Sequence, residues 1–553
     1  MSPKKTHWAV HRQFTPEILA LARRALAEVQ AGIPFAEVVR RHPLEDGHLS
    51  KSALVAAYHQ MVAAGEMRPD AHLLARIRLK PVRTLSGVTT VTVLTKPYPC
   101  PGHCIFCPDE ARMPKSYLPD EPGAMRAVEH DFDPYAQVAS RLEALASVGH
   151  PTDKVELLIL GGTFSAYRRD YQEWFVQRCF EAMNVAHHGE HREHGEEQKE
   201  LSVNSVRSVV NSLAAAQVAN ETAAHRCVGL SVETRPDEVT PDELAWFRHL
   251  GVTKVQMGAQ SLDDHVLELN QRGHTVAETH RAVALLRAAG FKIVLHWMPN
   301  LLGATLASDR ADFPRLWQGL CPDEIKIYPT QLLESAPLYA YWQRGEYIPY
   351  TTEALISLIA DLKPSIPRYC RVNRVIRDIP STHVVAGNKR TSLRQDVHTE
   401  LRRRGTPCQC IRCREVRGQV IETNALELDD LTYPTDGAEE HFLSVITLDD
   451  KITGFLRLSL PNADSPAIGL VDLDGAAIIR EVHIFGQSLE VGEGENGAAQ
   501  HTGLGTRLLA EAEKIALVRG IHRMAVISAV GTRQYYLDRG FERGNFYLVR
   551  TIP

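Results

Sequence analysis

CPGHCIFC, residues 100–107, places Cys100, Cys104 and Cys107 in a C-x3-C-x2-C spacing directly after the β-like run VTTVTVLTKPYP. Three cysteines this close read as metal ligands, yet a structural zinc site takes four donors. A [4Fe–4S] cluster is held by Cys thiolates, and with only three of them one iron keeps an exchangeable position. The competing reading is a zinc knuckle that borrows its fourth ligand from elsewhere.

Outward from this loop, residues 88–330 repeat a strand-then-helix pattern. The expected strands are VTTVTVLT (88–95), KVELLIL (154–160), VGLSVE (228–233), KVQMG (254–258), FKIVLHWM (291–298) and EIKIYP (324–329). Continuous apolar strands alternating with helices such as ETHRAVALLRAAG, closed by Gly290, predict a parallel sheet. The fold class expected is α/β, with six units forming a partial, TIM-like barrel whose chemistry sits at the C-terminal ends of the strands. Those ends carry suitable residues. LGGTF offers Gly161 and Gly162 for close backbone approach, followed by Thr163. SVETRPD brings Glu233 and Arg235 to the mouth, and KVQMGAQS brings Gln256 and Gly258.

The chain of 553 residues is too long for one core, so several domains are expected. Hydrophobic content of 44% and charged content of 23% are ordinary for a globular protein. No apolar run is long enough for a membrane span, and MSPKKTHWAVHRQF lacks a secretory apolar region. Ten cysteines, six of them in two tight clusters, fit metal ligation in a reducing cytoplasm better than a disulfide framework. The net charge of −5 does not advertise a nucleic-acid binder, although an average can hide local basic faces. Residues 1–84 read as helical, with Thr15 and Pro16 opening one helix and Gly65 closing another; the His-rich tract 187–200 reads as a solvated loop.

Residues 366–428 read as a basic, zinc-binding linker. GTPCQCIRCREV holds Cys408, Cys410 and Cys413, and Cys370 is the expected fourth zinc ligand, with His383 and His398 as alternatives. A second iron–sulfur cluster is the rival. Around the cysteines the charge is positive: Arg371, Arg374 and Arg377 precede them, with Lys389, Arg390, Arg394, Arg402 and Arg403 closer by. Arg76, Arg78 and Lys80 extend the track from the N-terminal unit. Such density favours phosphate contacts; a solvated face is the plainer alternative.

Residues 429–553 form another α/β unit. QHTGLG, residues 500–505, fits Q-x-x-G-x-G at the start of an apolar-striped helix, whose N–H groups can face a pyrophosphate. The motif resembles the acetyl-CoA loop of the Gcn-related acetyltransferases, with Leu504 between the two glycines. VISAVGTRQYYLDRGF follows, where that family carries a Tyr beside the acyl thioester; Tyr535 and Tyr536 stand there, and core packing is the alternative for either.

The cysteine spacing is that of the radical S-adenosylmethionine (SAM) enzymes. A radical-SAM half (85–365), a zinc linker (366–428) and an acetyltransferase half (429–553) together resemble one family. It comprises the catalytic acetyltransferase subunit of Elongator and its single-chain bacterial and archaeal relatives. TKPYPCPGHCIFCP, LGGTF, SVETRPD, VIRDIPSTHVVAGN, EVHIFG, QHTGLG and ISAVGTRQYYLDRGF carry the likeness, from about residue 70 onward. The resemblance implies an enzyme that makes 5-carboxymethyluridine at the tRNA wobble position from acetyl-CoA and a SAM-derived radical. It implies that Cys100, Cys104 and Cys107 hold the cluster and that Gly161, Gly162, Thr163, Glu233 and Gln256 meet SAM. Gln500, Gly503, Leu504 and Gly505 would cradle acetyl-CoA, and Lys96 would contact an anion or substrate. The expected partner is the tRNA anticodon loop, with no membrane, a cytoplasmic location, a monomer or homodimer, and room for Elongator-like accessory subunits. Two rivals are a protein lysine acetyltransferase with a structural iron–sulfur half and a tRNA-binding assembly subunit whose SAM chemistry has decayed.

Overall fold

The computed structural model describes residues 14–44, 47–80, 84, 86–185, 212–417, 425–485 and 503–553. The N-terminal unit has four helices, Pro16–Gln30, Phe35–Arg41, Lys51–Ala63 and Ala71–Ile77, and a two-residue-per-strand hairpin of β1 (Pro43–Leu44) and β2 (Gly47–His48). Thr15 caps the first helix through its side chain and Pro16 occupies the first turn, where a missing N–H costs nothing. Ala22, Leu26, Val38, Leu54 and Ile77 form a core of its own.

The middle of the chain folds as seven parallel strands in the order β3 to β9. They are β3 (Thr89–Leu94), β4 (Lys154–Leu160), β5 (Arg226–Thr234), β6 (Lys254–Gln260), β7 (Lys292–Trp297), β8 (Glu324–Ile327) and β9 (Arg371–Arg374). Each of the six expected strands is present, and helices connect them, as right-handed parallel crossovers require. The helix Val276–Ala288 opens on a capping box between Thr275 and Glu278, and Gly290 takes a φ of +75° just before β7. The sheet is open: among the described residues β3 pairs only with β4, and β9 only with β8.

β9 corrects the sequence expectation. RVNR was read as part of the linker, and it is the seventh strand, registered against Glu324–Lys326 of β8. Its sequence lacks an apolar run, and Val372 alone is buried. Pairing with β8, a non-local contact, makes it a strand.

After β9 the chain forms the helix Leu393–Arg404, packed against Thr352–Leu362, and then the short helix Ile411–Arg414. The C-terminal unit is a seven-stranded sheet: β10 (Glu427–Thr435), β11 (Ala438–Ile446), β12 (Ile452–Pro461), β13 (Ala477–Ile484), β14 (Arg523–Val526), β15 (Glu542–Arg543) and β16 (Leu548–Thr551). Its order is β10-β11-β12-β13-β14-β16-β15, antiparallel except for the β13–β14 pair, which the helix Leu504–Val518 joins as a crossover.

The two sheets meet along the N-terminal ends of the barrel strands. Arg480 of β13 pairs with Asp323 and Glu440 and donates to the Phe291 carbonyl at 2.8 Å. Arg457 of β12 donates to the Tyr369 carbonyl at 2.8 Å, and the Tyr547 hydroxyl to the Ala289 carbonyl at 2.7 Å. These groups are all buried. Burial pushes the Asp323 carboxyl up, but Arg480, Arg457 and Arg287 outweigh it and hold the pKa at about 2.

Candidate functional site

The cluster loop leaves β3 at the C-terminal end of the barrel. Cys104 is buried, and Cys100 and Cys107 are partly so. The Cys100 sulfur lies 3.5 Å from the Thr163 hydroxyl and accepts from the Gly102 N–H at 3.4 Å. Two buried arginines converge on Cys104. Arg272 donates to its Sγ at 3.3 Å, and Arg235, held by Asp237 and the Arg272 carbonyl, approaches it at 4.0 Å. The Cys104 thiol is pulled down to about 5. A hydrogen bond from Cys107 contributes most; burial opposes it; Arg272 and Arg235 add their positive fields. Three cysteines on one loop, one of them a stabilised thiolate, fit a cluster held by three thiolates with one open iron.

The neighbouring strand ends form a cradle. Gly162 has φ +83°, a conformation that suits glycine, and a Cβ there would stand 3.0 Å from the Lys115 carbonyl. Gly161 packs against the Thr95 hydroxyl with no room for a side chain. Glu233 is buried, accepts from the Tyr117 hydroxyl at 2.7 Å and faces Lys326 at 3.7 Å. Gln256 donates to the Ser231 hydroxyl at 2.8 Å. His296 lies 3.5 Å from Gln256, and burial with the nearby Lys326, Arg377 and Arg272 charges drives its pKa well below the ordinary histidine value.

At the other end, Gly503 takes φ +73° and precedes the helix Leu504–Val518, with Leu504 buried beneath. Gly505 stands against the Tyr535 hydroxyl, so any side chain there would displace it. Arg539 lies 3.7 Å from the Tyr535 ring centre, and Tyr536 sits edge-on to Tyr535 at 5.1 Å, buried against Phe541. Burial pushes both phenols up. Gln500 lies outside the described residues. So does the His-rich tract 187–200.

One cavity of about 1220 Å³ joins these ends: Cys100, Cys104 and Glu233 line it at one extreme, and Gly505, Tyr535 and Tyr536 at the other. Lys96 is not among its walls. It is exposed, with its ammonium over the Tyr171 ring at 4.7 Å.

Cys408, Cys410 and Cys413 gather their ligand atoms within 4.8 Å of one another, a fit for a single ion. The Nζ of Lys363, fully buried beside them, has no hydrogen-bond partner among the described residues. Three thiolates around a divalent ion carry one net negative charge, which this ammonium matches. Cys370 stays outside the trio: it is buried, its sulfur turned to the Arg371 carbonyl at 3.9 Å. His383 is held elsewhere, by Asp120 at 2.6 Å, and His398 is pushed down to about 4 by burial and the nearby Lys363.

The basic track is largely neutralised, correcting the one-sided charge read from the linker. Arg371 pairs with Glu415, Arg374 with Asp378, Arg377 with Glu121, Arg390 with Asp396, and Arg403 with Glu400. Arg394 donates to the Asn373 carbonyl at 2.8 Å, and Arg78 to the Gly149 carbonyl at 2.8 Å. Lys389, Lys80 and Arg76 are exposed, as is Arg402, which reaches the Thr399 hydroxyl at 3.1 Å. Glu121 lies far outside the linker, and Glu415 sits 44 residues from Arg371, so only folding reveals them as partners.

Sequence reasoning missed Arg272 and Tyr117. Neither stands in a motif, and each reaches the site from a connecting segment.

Residues 98–309 match the Radical SAM superfamily and residues 322–403 the Radical_SAM C-terminal domain. A tRNA uridine(34) acetyltransferase of Dehalococcoides mccartyi is 42% identical over 85% of this chain and 99% of its own. Elongator complex protein 3 of Homo sapiens is 32% identical over 87% of each chain. The solved structure of the archaeal Methanocaldococcus infernus Elp3, lacking residues 1–46, superimposes with a TM-score of 0.70 at 34% identity, covering 84% of this chain and 99% of that one. The partial barrel with its three-cysteine loop is a radical SAM domain, which implies SAM and a [4Fe–4S] cluster, and the chain belongs to the family of the tRNA uridine(34) acetyltransferases and Elongator complex protein 3.

Proposed function

We propose that this protein modifies the wobble uridine of tRNA, joining an acetyl-CoA-derived carbon to the base as 5-carboxymethyluridine. The observation that carries this is the single cavity lined by the cluster cysteines at one end and by Gly505, Tyr535 and Tyr536 at the other. Two unrelated activities would have no use for a shared interior.

Cys100, Cys104 and Cys107 hold the cluster, and Gly161, Gly162, Thr163, Glu233 and Gln256 surround SAM. The cluster with SAM, when bound, supplies a strong hydrogen-atom acceptor. Gly503, Leu504 and Gly505 cradle the acetyl-CoA pyrophosphate, and Tyr536, whose ring borders the cavity, stands by the thioester. Cys408, Cys410 and Cys413 hold zinc. We place the barrel from residue 85 through β9, the cysteine linker after it, and the acetyltransferase unit from residue 429. Lys80, Arg76, Lys389 and Arg402, exposed along the track, are placed to meet the anticodon arm.

Anaerobic reconstitution with iron and sulfide, followed by SAM, acetyl-CoA, dithionite and bulk tRNA, tests this. Digested tRNA should contain 5-carboxymethyluridine, formed only with all four components. Lysine acetylation of added peptide without SAM or reductant, and no modified uridine, would establish the acetyltransferase-only activity instead.

A further inference from the structure

A barrel interior is ordinarily filled by layers of large branched apolar side chains. Here the cavity is walled by Thr90 and Thr92 of β3, Glu156 of β4, Lys254 of β6, Lys292 of β7 and Glu324 of β8. The charges lie along the walls, held sideways. Lys254 pairs with Glu156 and with Glu324 at 3.4 Å, and Lys292 pairs with Glu324 at 2.7 Å and with Glu481 of β13. Neutralised in this way, they leave the lumen hollow, with polar groups set among apolar ones such as Leu158 and Val228.

The lumen also has two different ends. Cys104, Glu233 and Gly258 mark the C-terminal ends of the strands. Lys254, Lys292, Glu324 and Arg371 are the first residues of β6 to β9, and at β7 and β8 they meet the C-terminal sheet. Glu481 and His483 of β13 line the cavity at this floor. The Nε2 of His483 is buried without a hydrogen-bond partner among the described residues. The strands between run four to nine residues, roughly 15–30 Å. Atoms that react must come within about 3.5 Å. A thioester seated on the C-terminal sheet and SAM seated at the opposite end must therefore meet through the interior.

We propose that the acyl-bearing arm of acetyl-CoA enters the barrel through its floor, between β13 and the first residues of β7 and β8. The arm then carries the acetyl methyl up the lumen toward the cluster. The arm is slender, and its amides need polar groups on the walls: Gln256 and Asn373 provide donors and acceptors along the way. His483, with burial holding its pKa at about 4, is a neutral ring able to meet an amide or thioester oxygen or N–H at the threshold. The nucleic acid is left the opposite end and the open edge between β3 and β9.

This inference rests on the proposed function, and isotope transfer separates the two. Gly229 of β5 borders the lumen, and a Cβ there would meet only Glu156, at 3.5 Å, so larger side chains project into the passage. Acetyl-CoA with a trideuterated methyl group is supplied with SAM, dithionite and tRNA. One electron from dithionite breaks the C5′–S bond of SAM and releases methionine. The 5′ carbon radical then takes one deuterium atom from the methyl, one C–D bond breaking and one forming, and leaves the carbon radical on the acetyl group to add to the uridine. Wild-type protein should place deuterium in 5′-deoxyadenosine. In the series Gly229→Ala, Gly229→Val and Gly229→Trp, transfer should fall with side-chain volume, by about a hundredfold at Trp, as expected for misplaced reactants. SAM and acetyl-CoA affinities, measured separately, should hold. If Gly229→Trp does not fold, Thr92→Trp on the edge strand β3 obstructs the same passage and is judged identically. An obstructed, folded variant that transfers deuterium at the wild-type rate overturns the floor route. Wild-type protein that transfers none overturns the proposed function, and the route with it.

Discussion

The Arg272 guanidinium donates a hydrogen bond to the Cys104 sulfur at 3.3 Å while its other arm is anchored on the Gly258 carbonyl at 2.7 Å. Both residues are buried, so solvent does not screen the charge. Hydrogen bonds to ligand sulfurs and nearby positive charge favour the reduced, more negative cluster. Arg272→Met should make reduction about tenfold less favourable, ~59 mV for one electron. An EPR-monitored redox titration of the reconstituted cluster reads this directly. An unchanged midpoint with full iron content would contradict it.

Cys104→Ser should abolish SAM cleavage and uridine modification. Its affinity for tRNA should stay within about twofold of wild type, because phosphate contacts dominate such binding. Filter binding checks the second half; joint loss of both would make the cluster a structural element.

Gly505→Val forces a side chain into the space of the Tyr535 hydroxyl at the start of the helix Leu504–Val518. Acetyl-CoA affinity should weaken about tenfold, some 1.4 kcal/mol. SAM binding, at the far end of the cavity, should not change. Calorimetry with each ligand separates the two.

Removing the zinc trio should destabilise the linker. Cys410→Ser should bind no zinc by elemental analysis, where wild type binds one, and lose roughly 5–10 °C of melting temperature. A zinc ion held there would contribute folding energy, and the net negative charge of the three-thiolate centre would match the buried Lys363 ammonium.

Arg480→Met strands Asp323 and Glu440 in the interface between the sheets, a loss of about 3–5 kcal/mol typical of a broken buried pair. Asp323 ionises at about 2 when folded, below the ordinary value of about 3.9. A depressed pKa contributes stability above pH ~3.9 that is lost as the pH falls toward 2. Without Arg480 that contribution shrinks, and acid unfolding followed by circular dichroism should begin at a higher pH.

Much of the barrel was legible because its signals are local. Runs such as KVELLIL are apolar on both faces, as strands buried on both sides must be, and the capping pair Thr275 and Glu278 is only three residues apart in the chain. RVNR was not legible, since its strand character comes from pairing with Glu324–Lys326. Cys370, expected as the fourth zinc ligand, is not gathered with the three sulfurs, and order along the chain does not say where a buried sulfur turns.

By itself the sequence determined the chemistry available: three cysteines on one loop, glycines at strand and helix ends, a second cysteine trio, and tyrosines after the last crossover. Those are matters of residue type and short spacing, which a few bonds of backbone fix. The tertiary structure decided what each group faces. It paired the linker arginines with Glu121 and Glu415, set Arg272 on Cys104, turned Lys96 onto Tyr171, and stacked one sheet beneath the other. Such relationships depend on contacts between residues tens to hundreds apart, and only the packing of whole elements brings them together.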